Sequence, residues 1–198
     1  SIMDIVNNAD NALFYIVKDL ADDTRNLGRE TVKSFGVRSR FVHFEFFRLL
    51  SDHEGLGKKG DLMALEVNMR PSGGPTPDMI NFARETDVYK IWADMVAYDS
   101  TQKTVGAHHF CAFAGLRDGK DFAMTPDAII EKYTEQLKMV ERMPDALSDA
   151  MGNQMYLATF DTEEALNAFF ADVTRLKEVD TSEESETAET IVVQVERT

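Results

Sequence analysis

The chain has 198 residues, with 21 Lys or Arg against 35 Asp or Glu, a formal net charge of −14 and a pI of about 4.6. Hydrophobic residues make up 43% and charged residues 28% of the chain, which excludes a collagen, a coiled coil and a wholly disordered chain. The negative charge argues against a nucleic-acid partner because it repels phosphate backbones. No apolar run approaches the ~20 residues that span a bilayer, so we expect no membrane partner either.

The single cysteine, Cys111, excludes a disulfide framework and a thiolate zinc site within one chain. A cytoplasmic location is therefore expected. The first residues contain neither the basic nor the apolar region of a signal peptide, and they lack an initiator Met. We expect the chain to be a piece of a longer protein.

The first hundred residues are predicted to contain helices and a two-stranded hairpin. Apolar side chains recur at spacings of three and four over residues 9–33, which predicts a helix that Gly36 ends. Two β-prone segments follow, over residues 39–50 and 61–70, and the polar loop 51–60 joins them into a hairpin.

A segment rich in Pro and Gly, residues 71–77, separates the hairpin from the next helix. Thr76 is the expected N-cap of that helix, and Pro77 is expected at its first position. Its apolar positions continue to residue 95.

The second hundred residues alternate between strands and helices. The predicted elements are a strand over 105–113, a turn over 116–119, a helix from Thr125 to about 137, strands over 138–142 and 154–160, and a helix over 162–176. Residues 179–190 are acidic and rich in Ser and Thr, which predicts a disordered linker, and 191–195 would form an edge strand.

These elements predict an α+β fold. We expect an antiparallel sheet with flanking helices over residues 1–100, a small α+β subdomain over 101–178, and an acidic tail over 179–198.

Polar residues occupy alternate positions of the predicted hairpin. On the second strand Glu66, Asn68 and Arg70 would share one face with Leu62 and Ala64, spaced by about 6.6 Å. The opposite face would be wholly apolar and face the core; its residues are Met63, Leu65, Val67 and Met69. On the first strand His43 and Glu45 share a face, and pairing of the two strands would bring Glu45 close to Glu66.

Two carboxylates beside an amide oxygen form the hard oxygen site that Mg²⁺ or Mn²⁺ prefers. Arg70 offers a fork of donors for a carboxylate or a phosphate. The backbone of Ser72 and Gly73 allows an anion to approach closely, and a helix N-terminus follows. On spacing alone, a solvated hairpin face, a structural salt bridge and a metal–phosphate site all remain open.

The hairpin resembles a motif of the ATP-grasp superfamily, which includes biotin carboxylase, the large subunit of carbamoyl phosphate synthetase and many carboxylate–amine ligases. The motif is an acid on one strand, then Glu-x-Asn-x-Arg and small residues on the next. The matching residues here are Glu45, Glu66, Asn68, Arg70, Pro71, Ser72, Gly73 and Gly74. The resemblance covers residues 5–100 and implies the C-terminal part of the ATP-grasp fold.

The resemblance implies an ATP- and Mg²⁺- (or Mn²⁺-) dependent ligase that joins a carboxylate to an amine or another nucleophile through an acyl phosphate. The implied metal ligands are Glu45, Glu66 and Asn68. The implied nucleotide contacts are Asn68, Arg70, Ser72 and Gly73, and Arg70 is a candidate catalytic residue. His43 is a second catalytic candidate because it lies two residues from Glu45, where it would face the site as an acid–base group or a substrate contact.

The adenine pocket and the phosphate-binding lysines belong to the family's other half, which no part of this sequence matches. We therefore expect the missing N-terminal half of the same protein to be a partner. The isolated chain should be inactive and bind little or no ATP. An exposed hairpin would also leave an apolar patch, so a homodimer is a further expectation.

Two other readings stay open. In one, residues 104–178 form an interaction module, and the residues before them are a non-catalytic scaffold derived from an ATP-grasp fold. In the second, the chain is a Mg²⁺-dependent phosphoryl transferase outside the superfamily. Neighbouring strand residues point to opposite faces, so His108 and His109 are not expected to bind one metal together. Cys111 is expected to be buried and inert.

Overall fold

The computed structural model describes residues 2–101 and 106–177. The chain forms an α+β fold. Its elements are α1 (Ile2–Asn8), β1 (Ala12–Ile16), α2 (Asp22–Ser34), β2 (His43–Arg48), β3 (Leu62–Asn68), α3 (Thr76–Arg84), α4 (Val88–Tyr98), β4 (Phe110–Leu116), α5 (Pro126–Lys132), β5 (Leu137–Arg142), α6 (Asp145–Met151), β6 (Gln154–Phe160) and α7 (Glu163–Thr174). No helix in these two ranges combines the length and the apolar character needed to cross a bilayer.

Four strands form an antiparallel sheet in the order β1-β4-β6-β5, and β2 pairs with β3 in a separate two-stranded sheet. The central strands β4 and β6 are buried almost throughout. Both of their faces are covered, which explains why each is a nearly continuous apolar run rather than an alternating one.

The four-stranded sheet carries a core on each face, because successive strand residues point to opposite sides. On one face Tyr156 packs with Phe169 of α7 and Ile129 of α5. On the other face Phe113 packs with Met79 of α3. Helices α5 and α7 thus cover one side of the sheet, and α3 covers the other.

This sheet joins the two units that the sequence predicts on either side of residue 100. Strand β1 lies in the first unit and pairs along its whole length with β4 of the second, with Phe14 opposite Phe113. The rings of these two residues stack with their centroids 4.4 Å apart. The core on the α3 side of the sheet therefore draws on both halves of the chain.

Strand β4 packs backbone to backbone against the turn between α6 and β6. A Cβ atom added to Gly115 would lie 1.7 Å from the carbonyl oxygen of Met151. A Cβ atom added to Gly152 would lie 2.4 Å from the carbonyl carbon of Gly115. Since no side chain fits in that space, both positions require glycine.

The two-stranded sheet contains a bulge that the alternation pattern did not predict. His43 pairs with Asn68 and Glu45 with Glu66, but Phe46 pairs with Ala64, which leaves Leu65 as an extra residue. Beyond a bulge the faces of the bulged strand exchange. The prediction that Leu62 and Ala64 share a face with Glu66 and Asn68 is therefore wrong, and the apolar face of this strand is not continuous.

The predicted helix over residues 9–33 is wrong in its first half, where the chain forms β1 and not a helix. Pairing with β4, almost a hundred residues away, overrides the helical spacing of the apolar residues. The second half is α2, and Gly36 follows its end with a positive φ of 60°, as predicted.

The helix predicted to run from Thr76 to residue 95 is two helices. Helix α3 ends at Glu85, whose backbone is left-handed with φ of 46°. Asp87 then caps α4 by accepting a hydrogen bond from the backbone N–H of Lys90. The predicted N-cap, Thr76, is the first helical residue, and Pro75 precedes it in the cap position without a side-chain bond.

The second half follows the predicted alternation closely. Strands β5 and β6 lie where expected, and Thr125 and Thr162 cap α5 and α7 with side-chain hydrogen bonds. Three details differ from the prediction. Strand β4 begins at Phe110 rather than at residue 105, and α5 ends at Lys132 rather than at residue 137. Helix α6 was not predicted. The linker and edge strand expected over residues 179–195 lie outside the described residues.

Candidate metal site on the two-stranded sheet

Three metal-ligating side chains converge on one face of the hairpin. His43 and Glu45 lie on β2 and Glu66 lies on β3, and one ligand atom of each falls within 4.8 Å of the others. The pairing of Glu45 with Glu66 places these two carboxylates side by side. The hairpin register thus produces the cluster from residues that are 21 (Glu45 and Glu66) and 23 (His43 and Glu66) positions apart in the sequence.

The polar face of β2 points outward because its other face is aromatic. Phe44 lines a cleft against α2, together with Gly28 and Val32 of that helix. The rings of Phe44 and Phe46 lie on this side with their centroids 6.3 Å apart. Because successive strand residues point to opposite faces, the position of Phe44 beside α2 leaves His43 and Glu45 on the opposite surface.

An ion pair holds the hairpin to the start of α2. The Arg48 guanidinium donates to Oδ2 of Asp23 at 2.8 Å and to the carbonyl oxygen of Gly60 at 2.9 Å. The hydrogen bond from Arg48 lowers the pKa of Asp23 to about 2. Because both side chains are half-exposed, this bond contributes mainly to the position of the hairpin and little to stability.

Among the described residues, His43 is the one basic side chain paired with a carboxylate of the cluster. Nε2 of His43 lies 3.6 Å from Oε1 of Glu45. Among the residues that the structure describes, no Lys or Arg forms an ion pair with Glu45 or Glu66. Like charges directly opposite each other destabilise a strand pair, so this arrangement favours the uptake of a cation.

Asn68 belongs to the same face and orients one of the acids. It pairs with His43 in the hairpin register, and its amide Nδ2 donates a hydrogen bond to Oε1 of Glu66. An amide oxygen beside two carboxylates completes a donor set that suits a hard divalent cation. Of the residues predicted from sequence, Glu45, Glu66 and Asn68 are therefore brought together.

The other predicted residues lie outside this cluster. Arg70 follows the end of β3, and its Nη1 donates to the carbonyl oxygen of Pro71 at 2.9 Å. Ser72 lines an apolar cavity of about 80 Å³ with Pro77 and Trp92. Gly73 lies in open space, since a Cβ added there would contact nothing within 4 Å. The described contacts do not place these three residues against the carboxylates.

The cluster fits a divalent cation by its chemistry and its dimensions. Ligand atoms bound ~2.1 Å from one ion lie roughly 3–3.5 Å apart. The donor atoms here lie within 4.8 Å of one another, so small side-chain rotations would close the set around an ion. Glu45 and Glu66 are accessible enough to make those rotations.

Only one of the two ring nitrogens of His43 faces the cluster. Its Nδ1 is buried and has no hydrogen-bond partner in the part of the chain that the structure describes. Its Nε2 is the ring nitrogen that faces Glu45. The sequence spacing placed His43 near the site, but the orphaned nitrogen is visible only in the folded chain.

His108 and His109 contact different acids. Nδ1 of His108 lies 3.6 Å from Oδ1 of Asp19. His109 lies between two acids, with Nδ1 2.8 Å from Asp161 and Nε2 3.5 Å from Glu85. Cys111 is buried, as predicted, and burial raises the pKa of its thiol to about 12.

A buried arginine, Arg117, links distant parts of the chain in a way that no sequence pattern indicates. The segment around Arg117 was predicted as a turn, but its guanidinium is buried and donates to the carbonyl oxygens of Asp10, Ser148 and Asp149. It ties the residues before β1 to helix α6. Its acceptors are backbone oxygens distant along the chain, which no residue pattern reveals.

In the part of the chain that the structure describes, candidate ligating residues from both strands of the hairpin thus meet in one cluster. Its members are His43, Glu45, Glu66 and Asn68. No protein-family model matches the chain, and no curated protein sequence is detectably similar to it.

Proposed function

We propose that this chain is the C-terminal part of the ATP-grasp domain of an ATP- and Mg²⁺-dependent ligase. The ligase would join a carboxylate to an amine or another nucleophile through an acyl phosphate. The observation that carries the proposal is the placement of Glu45 beside Glu66, with Asn68 bonded to Glu66, on one face of the hairpin. These three positions are the ones that the sequence resemblance assigns to the metal.

The proposed roles follow from the position of each side chain. Glu45, Glu66 and Asn68 hold the divalent ion, and the hydrogen bond from Asn68 orients the carboxylate of Glu66. When bound, the ion supplies positive charge that offsets the charge of the transferring phosphoryl group. The protein contributes a fixed pair of strands that needs little rearrangement to bind it.

Arg70 is proposed to bind the anionic end of the substrate. Its guanidinium now donates to the neutral carbonyl of Pro71, and that bond is weaker than a bidentate bond to a carboxylate or phosphate. An arriving anion would therefore draw the side chain away from the loop. The backbone of Ser72 and Gly73 would add uncharged donors beside it.

The surroundings of the acids are consistent with a second segment that covers them. Phe47 lies two positions after Glu45 and is 56% exposed, and Leu65, the bulged residue beside Glu66, is 53% exposed. Apolar side chains of this size next to a polar site are typical of surfaces that another part of a protein covers. The proposal assigns that part, and the nucleotide base, to the N-terminal half of the same ligase.

The direct test is metal binding by the chain itself. We expect calorimetric titration to show Mg²⁺ binding that Glu45→Gln and Glu66→Gln each weaken strongly. Glu54→Gln, which makes the same change in the loop of the same hairpin, is the matched control and should bind as the wild type does. Equal binding by all four proteins would refute the assignment.

A second titration tests where the nucleotide binds. With Mg²⁺ present, the isolated chain should bind ATP only weakly. The protein that contains both halves should release ADP when given a suitable carboxylate and amine. Micromolar ATP affinity of the isolated chain would contradict the proposed division of the site.

A non-catalytic interaction module is the second candidate function, and the surface of α4 favours it. Val96 is 73% and Tyr98 75% exposed on this helix, near the half-exposed Trp92. Turnover distinguishes the two candidates. A protein that contains both halves yet shows neither metal binding nor ADP release would leave the interaction module as the better account.

A further inference from the structure

We propose that His43 is an additional metal ligand, through Nε2, and that it makes this site prefer Mn²⁺ to Mg²⁺. The inference rests on the proposed function, because it concerns the same face of the hairpin. It goes beyond that function in adding a nitrogen donor to a set of oxygen donors and in naming the ion.

The distance between His43 and Glu45 fits two ligands of one ion better than it fits a hydrogen bond. Nε2 of His43 lies 3.6 Å from Oε1 of Glu45, which is longer than the ~2.7–3.2 Å of an N–H···O bond. Two atoms bound to one ion lie roughly 3–3.5 Å apart. The third donor, on Glu66, falls within 4.8 Å of both.

The environment of the imidazole leaves one nitrogen for this role. Nδ1 is buried without a partner among the described residues, so it reaches neither water nor a ligand. The side chain as a whole is 29% exposed, and Nε2 is the ring nitrogen that faces Glu45. Nε2 therefore lies beside Glu45, and no described residue makes a hydrogen bond to it that a metal would have to break.

The hairpin register makes the four donors a compact set. His43 is opposite Asn68, and Glu45 is opposite Glu66, so the four side chains occupy two adjacent cross-strand pairs on one face. The bulge begins only after Glu45. The exchange of faces that it causes therefore does not separate His43 from the acids.

The chemistry of the donors decides the ion. Mg²⁺ prefers oxygen ligands, keeps several waters and gains little from imidazole. Mn²⁺ accepts carboxylates as readily and, unlike Mg²⁺, belongs to the first-row divalent series whose members bind mixed nitrogen and oxygen sites. A site with two carboxylates, an amide and one imidazole therefore discriminates between the two ions, and the imidazole is the source of the discrimination.

If the contact between His43 and Glu45 is an ion pair instead, removal of His43 should change metal affinity in the opposite direction. If His43 were a protonated partner of Glu45, its positive charge would oppose the binding of any cation. Its removal would then strengthen the binding of Mg²⁺ and of Mn²⁺ alike. A ligand role predicts weaker binding on removal, and mainly for Mn²⁺.

The test is a titration of the chain with Mn²⁺, followed by electron paramagnetic resonance, with Mg²⁺ as competitor. We expect wild type to bind Mn²⁺ at least about tenfold more tightly than Mg²⁺. His43→Gln should lower the Mn²⁺ affinity by at least about tenfold, the order seen when the surroundings of a metal are disrupted, and leave Mg²⁺ affinity nearly unchanged. Pulsed measurements should detect the coupling of a ligand nitrogen to bound Mn²⁺ in wild type only.

His53→Gln is the matched control. His53 lies in the loop of the same hairpin and contacts Ser51 at 3.3 Å, away from the cluster. This variant should keep the wild-type affinities and the nitrogen coupling. Thermal unfolding of all three proteins without metal checks that His43→Gln is folded.

The outcomes separate this inference from the proposed function. If both ions bind through Glu45 and Glu66 but His43→Gln changes neither their ratio nor the nitrogen coupling, the inference is overturned and the proposed function stands. Stronger binding of both ions by His43→Gln overturns it as well. If wild type binds neither ion, both proposals fail.

Discussion

Replacement of Glu66 by Gln tests whether the two carboxylates are held together for a ligand or for stability. Glu66 and Glu45 are direct neighbours across the strand pair, with ligand atoms within 4.8 Å. Two unit charges at that separation repel by about 0.9 kcal/mol in a water-like dielectric, which is appropriate because both groups are accessible. Physiological salt screens roughly half of this.

Without metal, Glu66→Gln should therefore raise the free energy of unfolding by about 0.5 kcal/mol. Gln keeps an oxygen that accepts the hydrogen bond from Asn68, so no other interaction is lost. With metal the sign reverses. A metal ion at a free concentration 100 times its dissociation constant stabilises the wild type by about 2.7 kcal/mol. The variant has lost a metal ligand, so the same ion should stabilise it far less.

The assay is urea unfolding, first in a chelator and then in saturating Mn²⁺, for wild type, Glu66→Gln and the loop control Glu54→Gln. In chelator the urea midpoint of Glu66→Gln should be the highest of the three. Its difference from the wild-type midpoint should shrink in 1 M salt, because salt screens the repulsion between the two carboxylates. A Glu66→Gln protein that is less stable than wild type in chelator would show that Glu66 makes a stabilising ion pair. An equal gain from Mn²⁺ in both proteins would show that Glu66 is not a ligand.

Two further predictions concern the fold. Gly115→Ala should lower the free energy of unfolding by about 3 kcal/mol or more, because a Cβ would lie 1.7 Å from a backbone oxygen. Gly28→Ala on α2 should instead raise it by about 0.5–1 kcal/mol, because a Cβ there would have no atom within 4 Å. Urea unfolding measures both changes, and similar effects of the two substitutions would refute the packing argument. Hydrogen bonds from Lys132 and Tyr133 lower the pKa of Asp172 below its ordinary 3.8, so this carboxylate adds stability above that pH and loses it as the pH falls. The deficit of Asp172→Asn in urea midpoint should therefore be full well above pH 3.8 and shrink as the pH falls below that value. A deficit independent of pH would contradict it.

Several elements were predictable because their signals are local. Strand β6 lies over the predicted residues 154–160, and β2 and β3 fall inside their predicted segments. Thr125 and Thr162 were identifiable as helix starts, since an N-cap needs only its own side chain and an N–H three residues later. Gly36 ends α2 for a similarly local reason, its positive φ.

Other elements depended on distant partners. Residues 12–16 carry apolar spacing compatible with a helix, and they form a strand because β4 offers an edge with which they pair. The long helix after Thr76 is divided at Glu85, whose backbone N–H still bonds to Asn81 while its φ turns positive. Neither outcome follows from hydrophobic periodicity, because each is decided by what the segment packs against.

The sequence by itself determined which residue types could form the site and which of them share a strand. Alternation puts His43 with Glu45, and Glu66 with Asn68, because the period of a strand is two. Tertiary structure alone decided the rest. The cross-strand register places Glu45 opposite Glu66, the bulge at Leu65 reverses the faces beyond them, and packing buries one nitrogen of His43. Register across a long loop is set by hydrogen bonds between distant backbone groups and by burial of the aromatic face, and these exist only in the folded chain.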